Sequence, residues 1–129
     1  MSSLTLSPEA SGSTAVAIDQ NALLARCMGN VPFAVSLLYE LELTGEQKVR
    51  DIAECAMSGD HHGVVHAAHG LKGAAAIIAA EPLRAVAAAI EEAGEFEVQD
   101  VITFLVANLQ LEMARCLEFA QVFREQNRA

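Results

Sequence analysis

The chain has no tryptophan, only 5% aromatic residues, and eight basic residues against seventeen acidic ones. Each shortage removes a class of answer. Scarce aromatics argue against a sheet built from aromatic and β-branched pairs, and heavy use of alanine favours close-packed helices. A formal charge of -9 argues against a nonspecific nucleic-acid binder, which neutralises phosphates with clustered Lys and Arg. The three cysteines, Cys27, Cys55 and Cys116, are odd in number, far apart and in no CxxC pair. Neither a disulfide framework nor a zinc knuckle is expected, and the thiols read as buried or half-buried. The longest strongly apolar run, Val101–Leu111, is about half of the roughly 20 residues a membrane span needs, so no transmembrane helix is expected. The N-terminus lacks the basic start and apolar centre of a signal peptide, so a cytoplasmic chain is expected.

Residues 1–17 carry several Ser and Thr, Pro8 and Gly12 with no sustained period, and read as a flexible leader to a single domain over 18–129. Asp19 can cap a short helix with Leu23 and Leu24 as its apolar contacts, ending near Gly29-Asn30. From Val31 to about Ser58, small or apolar residues at 34, 38, 41, 45, 49, 52 and 56 mark one helical face. Gly45 is its weak point, since a mid-helix glycine costs about 1 kcal/mol and Thr44-Gly45 is where the helix would kink or divide. Gly59 can stop that helix and Asp60 cap the next, which is predicted to run to about Ala80. Pro82 suits the first turn of a following helix with Leu83, Val86, Ala87 and Ile90 on its apolar face and Gly94 as its C-terminal cap. A last helix, from about Glu97 to Gln126, sets Val98, Val101, Leu105, Leu109, Met113, Cys116, Ala120 and Phe123 along one stripe. The expectation is an all-α, antiparallel up-down four-helix bundle with a short extra N-terminal helix. With no heptad stripe left over for pairing, a monomer is expected.

The second long helix holds His69-Gly70-Leu71-Lys72-Gly73. At 100° per residue, Val64, Ala68, Leu71, Ala75 and Ile78 fall within roughly 40° of one direction and form the buried stripe. His62, His66, His69, Gly73 and Ala76 lie about 120° to 200° away, on the solvent side. The small residues one and two turns beyond His69 let a second protein bring its backbone close to the imidazole. Lys72, about 60° round the helix, is within reach of an anion attached to His69, and its ammonium can donate to phosphate oxygens. Gly70 and Gly73 together oppose helix propensity by about 2 kcal/mol, a local conflict of the kind that functional sites carry. A neutral imidazole has a free lone pair, can form a P–N bond and can pass the phosphoryl group onward. Nothing in the chain resembles a nucleotide loop or a magnesium-holding acidic pair, so it is read as a phosphocarrier without kinase activity of its own.

The stretch His66-Ala67-Ala68-His69-Gly70-Leu71-Lys72-Gly73-Ala74-Ala75-Ala76 resembles the signature of histidine-containing phosphotransfer (HPt) domains. An acidic turn, Gly59-Asp60, precedes it, and a Leu-centred helix ending in acidic residues, Leu83 to Glu92, follows, as in that family. The resemblance spans roughly Ile18 to Phe123, with its specific part in residues 66 to 83. It implies a phosphorelay in which His69 is the phosphoacceptor through Nε2, Lys72 assists the phosphoryl group and Gly73 permits close docking of a receiver domain. The implied docking surface includes His66, Gly70, Gly73 and Ala76. The implied partners are response-regulator receiver domains and a hybrid histidine kinase, with magnesium carried by the receiver and no cofactor held by this chain. Two positions depart from the pattern: the family often has a polar residue and a glycine where Ile77 and Ala79 stand.

Two rival readings remain open on sequence. His62, His66 and His69, with His61 or Asp60 as a further ligand, are spaced to share a helical face and bind a metal. Alternatively the bundle only docks on receivers without accepting phosphate, although such a module has no physical need of a nucleophile. No Ser/His/Asp or Cys/His arrangement points to a hydrolase.

Overall fold

The computed structural model of the protein describes residues 15–128. Five helices occur among them: α1 (Gln20–Arg26), α2 (Val31–Met57), α3 (His61–Ile77), α4 (Glu81–Glu95) and α5 (Gln99–Gln126). Residues 1–14 of the predicted leader lie outside the described residues, while Ala17 and Ile18 are buried against the bundle.

The first four helices start where their side chains predict. Asp19, Asn30 and Asp60 accept from the backbone N–H groups of Ala22, Phe33 and Gly63, satisfying donors that a helix start leaves free. Pro82 sits in the first turn of α4, where its missing N–H costs nothing.

Contacts at both ends establish an antiparallel bundle. The side chain of Gln99, at the start of α5, donates to the carbonyl of Ala56 at the end of α2, and Arg124, near the end of α5, pairs with Glu42 in α2 at 2.9 Å. Helix α3 packs against α2 and α4, and α4 against α5. The predicted faces of α2 and α3 are buried throughout: Ala34, Leu38, Leu41, Gly45, Val49, Ile52 and Ala56 on one, Val64, Ala68, Leu71, Ala75 and Ile78 on the other. Short α1 meets α2 at a bend of 111° and is tied to the end of α3 and the turn beyond it, with the Arg26 guanidinium donating to Ala76 O and the Asp19 N–H to Ala79 O.

Four details differ from the sequence expectation. Helix α2 runs unbroken through Gly45, because the glycine makes room for Met113 of α5: a Cβ there would lie 2.8 Å from its Sδ. Helix α3 stops at Ile77 rather than Ala80, because Ala79 takes a φ of +60° and the Ala80 N–H turns back to Ala75 O, a left-handed helix stop. That is the position where the family often has glycine. Gly94 is not the cap of α4 but a packing residue inside it; the helix ends at Glu95, and Glu97 supplies the left-handed residue, φ +57°. Finally, α5 begins at Gln99, which leaves Val98 outside the helix, and Ile102, nearer than the exposed Val101 to the direction of Leu109, takes the first buried position of the stripe.

Candidate functional site

The buried stripe of α3 decides where His69 points. Ala68 and Leu71 are held in the core, and His69 between them is turned out, its side chain 69% exposed. Against this part of α3 lies α4, brought close by Gly94: a Cβ there would fall 2.9 Å from Val65 Cγ2 and 3.2 Å from Val64 Cγ1. One turn back along α4, Glu91 faces the same seam and is 15% exposed. Its Oε2 lies 3.0 Å from Nδ1 of His69, and its Oε1 lies 2.7 Å from Nζ of Lys72. A single carboxylate therefore joins the two residues that the sequence singles out.

The electrostatics follow from this bridge. The hydrogen bond from Lys72 holds the Glu91 carboxyl below the usual carboxylate range; partial burial opposes this, and the His69 contact adds to it. An ionised carboxylate only accepts hydrogen bonds, so in the neutral ring the proton sits on Nδ1 and is donated to Glu91. Nε2 is left with its lone pair, and among the described residues it has no hydrogen-bond partner.

The other flank of the ring is open. At Gly70 and Gly73 an added Cβ would meet nothing within 4 Å, so the fold itself has no need of glycine there. Ala76 and His66 are exposed on the same side of α3. Beyond the glycines, Ala74 and Ile77 line a cleft of about 200 Å³ with Leu37, Thr44 and Lys48 of α2. Ile77, one of the two departures from the family pattern, is 58% exposed at its edge.

The remaining histidines stay apart from this arrangement. His62 is exposed, and Nε2 of His61 lies 2.9 Å from Oε1 of Gln99. Among the described residues no group of three His, Cys, Asp or Glu side chains is placed to hold a metal ion. None of the cysteines lies at the site, and burial pushes the Cys116 thiol up to about 12.

Two elements of the site escape sequence reasoning. Glu91 was only one of several acidic residues ending a helix, yet a signal exists: Leu83, Ala87, Glu91 and Gly94 form one row at helical spacing. A charge in an otherwise small and apolar row needs a partner. The α2 residues of the cleft carried no such signal, because only packing selects which outer positions of α2 stand beside Gly73.

Chemically, the site offers one oriented nucleophilic nitrogen, an adjacent ammonium, a carboxylate to balance charge, and space for a partner. The model of the Hpt domain family matches residues 36–118. Among solved structures, the chain is similar to histidine-containing phosphotransfer protein B from Pseudomonas aeruginosa PAO1. That similarity has a TM-score of 0.82 and 21% identity, and covers 89% of this chain and 100% of the other. No curated protein matches. The matched segment spans well over half of the sequence and contains His69, Lys72, Gly73 and Glu91, and the chain belongs to the Hpt domain family.

Proposed function

We propose that the protein relays a phosphoryl group between aspartates of receiver domains, carrying it on Nε2 of His69. The observation that carries this reading is the pinned ring: Glu91 holds Nδ1 at 3.0 Å while the side chain remains 69% exposed, so the free lone pair faces an incoming partner. In the forward step the Nε2 lone pair attacks the phosphorus of a receiver aspartyl phosphate in line. The P–N bond forms as the P–O bond breaks, and the aspartate leaves as carboxylate. The ring keeps its Nδ1 proton and becomes positively charged, next to the Glu91 carboxylate. Lys72 lies on the opposite oxygen of Glu91 at 2.7 Å and keeps further N–H donors for the phosphoryl oxygens. Return of the group to a second receiver reverses these steps.

The divalent ion of the reaction, magnesium, belongs to the receiver and shields the charge on the transferring phosphoryl group. The receiver docks over Gly70, Gly73 and Ala76, with His66 at one margin and the Leu37–Ile77 cleft at the other. A hybrid histidine kinase supplies the receiver that donates. The protein acts as a monomeric carrier in the cytoplasm; among the described residues no single helix is long and apolar enough to cross a membrane.

The test is phosphorylation of wild type and His69→Gln by a panel of phosphorylated receiver domains, scored as acid-labile, base-stable label. Label on wild type alone is expected. Label retained by His69→Gln would refute the acceptor assignment.

A further inference from the structure

The end of the bundle formed by the α2–α3 and α4–α5 turns carries exposed apolar side chains that the phosphotransfer site does not use. Met57, Phe96 and Phe104 are 87%, 71% and 67% exposed, and Val98 and Val101 lie between the two phenylalanines at 41% and 43%. A singly exposed apolar residue is ordinary, whereas a cluster marks a contact surface. In a chain with five phenylalanines in all, leaving two of them in water within one turn and the start of a helix costs solubility for no gain to the core.

The turn is firmly built. Gln99 Nε2 donates to Ala56 O at 2.9 Å, and Gln99 Oε1 meets His61 Nε2 at 2.9 Å, so the ends of α2, α3 and α5 are tied at one side chain. Asp60 caps α3 through the Gly63 N–H. The surface is thus held in place before any partner arrives, which lowers the ordering cost of binding.

Its charge has one sign. Glu92, Glu95, Glu97 and Asp100 are exposed around the apolar residues, and Glu54 and Asp60 face the same end from the α2–α3 connection. There is no Lys or Arg from Asp51 through Leu71 or from Ala85 through Ala114. Among the described residues none of these six carboxylates enters an ion pair, whereas Glu42, Glu81, Glu91, Glu112 and Glu125 all do. A second copy of the chain would set carboxylates against carboxylates, and an anionic lipid surface would be repelled. Charge complementarity selects a cationic occupant, and the phenylalanines require it to be amphipathic.

We propose that this end of the bundle is a second interaction surface, built to receive a basic amphipathic helix of another protein.

The test uses the full chain, 15N-labelled, titrated at 150 mM salt with an 18-residue peptide of repeated Leu-Lys-Lys-Leu and with a matched peptide in which Ala replaces Leu. Chemical-shift changes confined to residues 54–61 and 92–104 are expected with the Leu peptide, and binding at least about tenfold weaker with the Ala peptide, as loss of several buried leucine contacts requires. The Phe96→Ser/Phe104→Ser variant should lose the Leu peptide to the same degree while keeping its circular dichroism and its receiver-dependent phosphorylation. Equal binding of both peptides, shifts spread over the whole acidic surface, shifts centred on His69, or undiminished binding by the double variant would each overturn the proposal. Concentration-dependent shifts of residues 92–104 without peptide would overturn it in favour of a second copy.

Discussion

Two pairs of helix-interior glycines behave in opposite ways. At Gly45 and Gly94 an added Cβ would lie 2.8 Å from Met113 Sδ and 2.9 Å from Val65 Cγ2, respectively; at Gly70 and Gly73 it would meet nothing within 4 Å. The first pair is explained within the molecule, since it lets neighbouring helices approach. The second pair costs helix stability and returns nothing to the fold, so its explanation lies in what docks there. The two pairs are linked through Glu91, because the close α3–α4 seam at Gly94 is what brings that carboxylate to His69.

The strongest way to break this contrast is to fill the seam. Gly94→Leu is expected to lower the stability of the fold by about 3 kcal/mol through overpacking against Val64 and Val65, read as a lower urea midpoint. An unchanged midpoint would mean that the seam yields freely and that Gly94 does not set the spacing.

Next in size is the bridge itself. Glu91→Ala is expected to slow phosphoryl transfer by about ten- to a hundredfold, the usual cost of losing a group that orients a functional histidine, with helix content unchanged. The same carboxylate gives a pH signature. Its folded value is lowered, so the stability it contributes is present above about pH 4.3, the unfolded value. That stability is lost as pH falls through the lower folded value. Stability curves of wild type and Glu91→Gln should therefore converge in acid and separate towards neutrality; parallel curves would show that the bridge contributes nothing to the fold.

The open pair gives a smaller effect of opposite sign. Gly73→Ala is expected to stabilise the protein by about 1 kcal/mol, and Gly73→Leu to leave the fold intact while slowing transfer by blocking docking. Transfer unimpaired by the leucine would end the close-approach argument. Smallest is the converse case, a non-glycine where glycine would suit. Glu97 is exposed at φ +57°, and Glu97→Gly should raise stability by about 0.5 kcal/mol, the relief of a left-handed Cβ less the added freedom of the unfolded chain.

What was legible in the sequence followed from regularity. The buried faces of α2 and α3 could be read residue by residue, because steps of three and four leave no choice of side once a helix forms. The outward turn of His69 came from the same wheel. The misreadings fall where a local rule met a tertiary one. Gly94 satisfies the rule for a helix cap, yet packing claims it for the interior of α4. Val98 precedes α5, which the left-handed turn at Glu97 starts only at Gln99. Steps of four put Val101 on the stripe, but each drifts by about 40°, so that it stands about 80° from Leu109 while Ile102 stands within about 20° of it. Glu91 was hidden because its meaning depends on a histidine 22 residues away, and no periodicity within either helix relates the two.

The grip of Glu91 on Nδ1 also bears on entropy. An unrestrained imidazole on a helix surface samples several rotamers, and only some present Nε2 outward. Holding the ring through one hydrogen bond shifts that ordering loss, on the order of 1 kcal/mol, into the folding of the monomer. A partner then meets a ring already in its reactive orientation, and the fraction of collisions spoiled by a misdirected nitrogen falls.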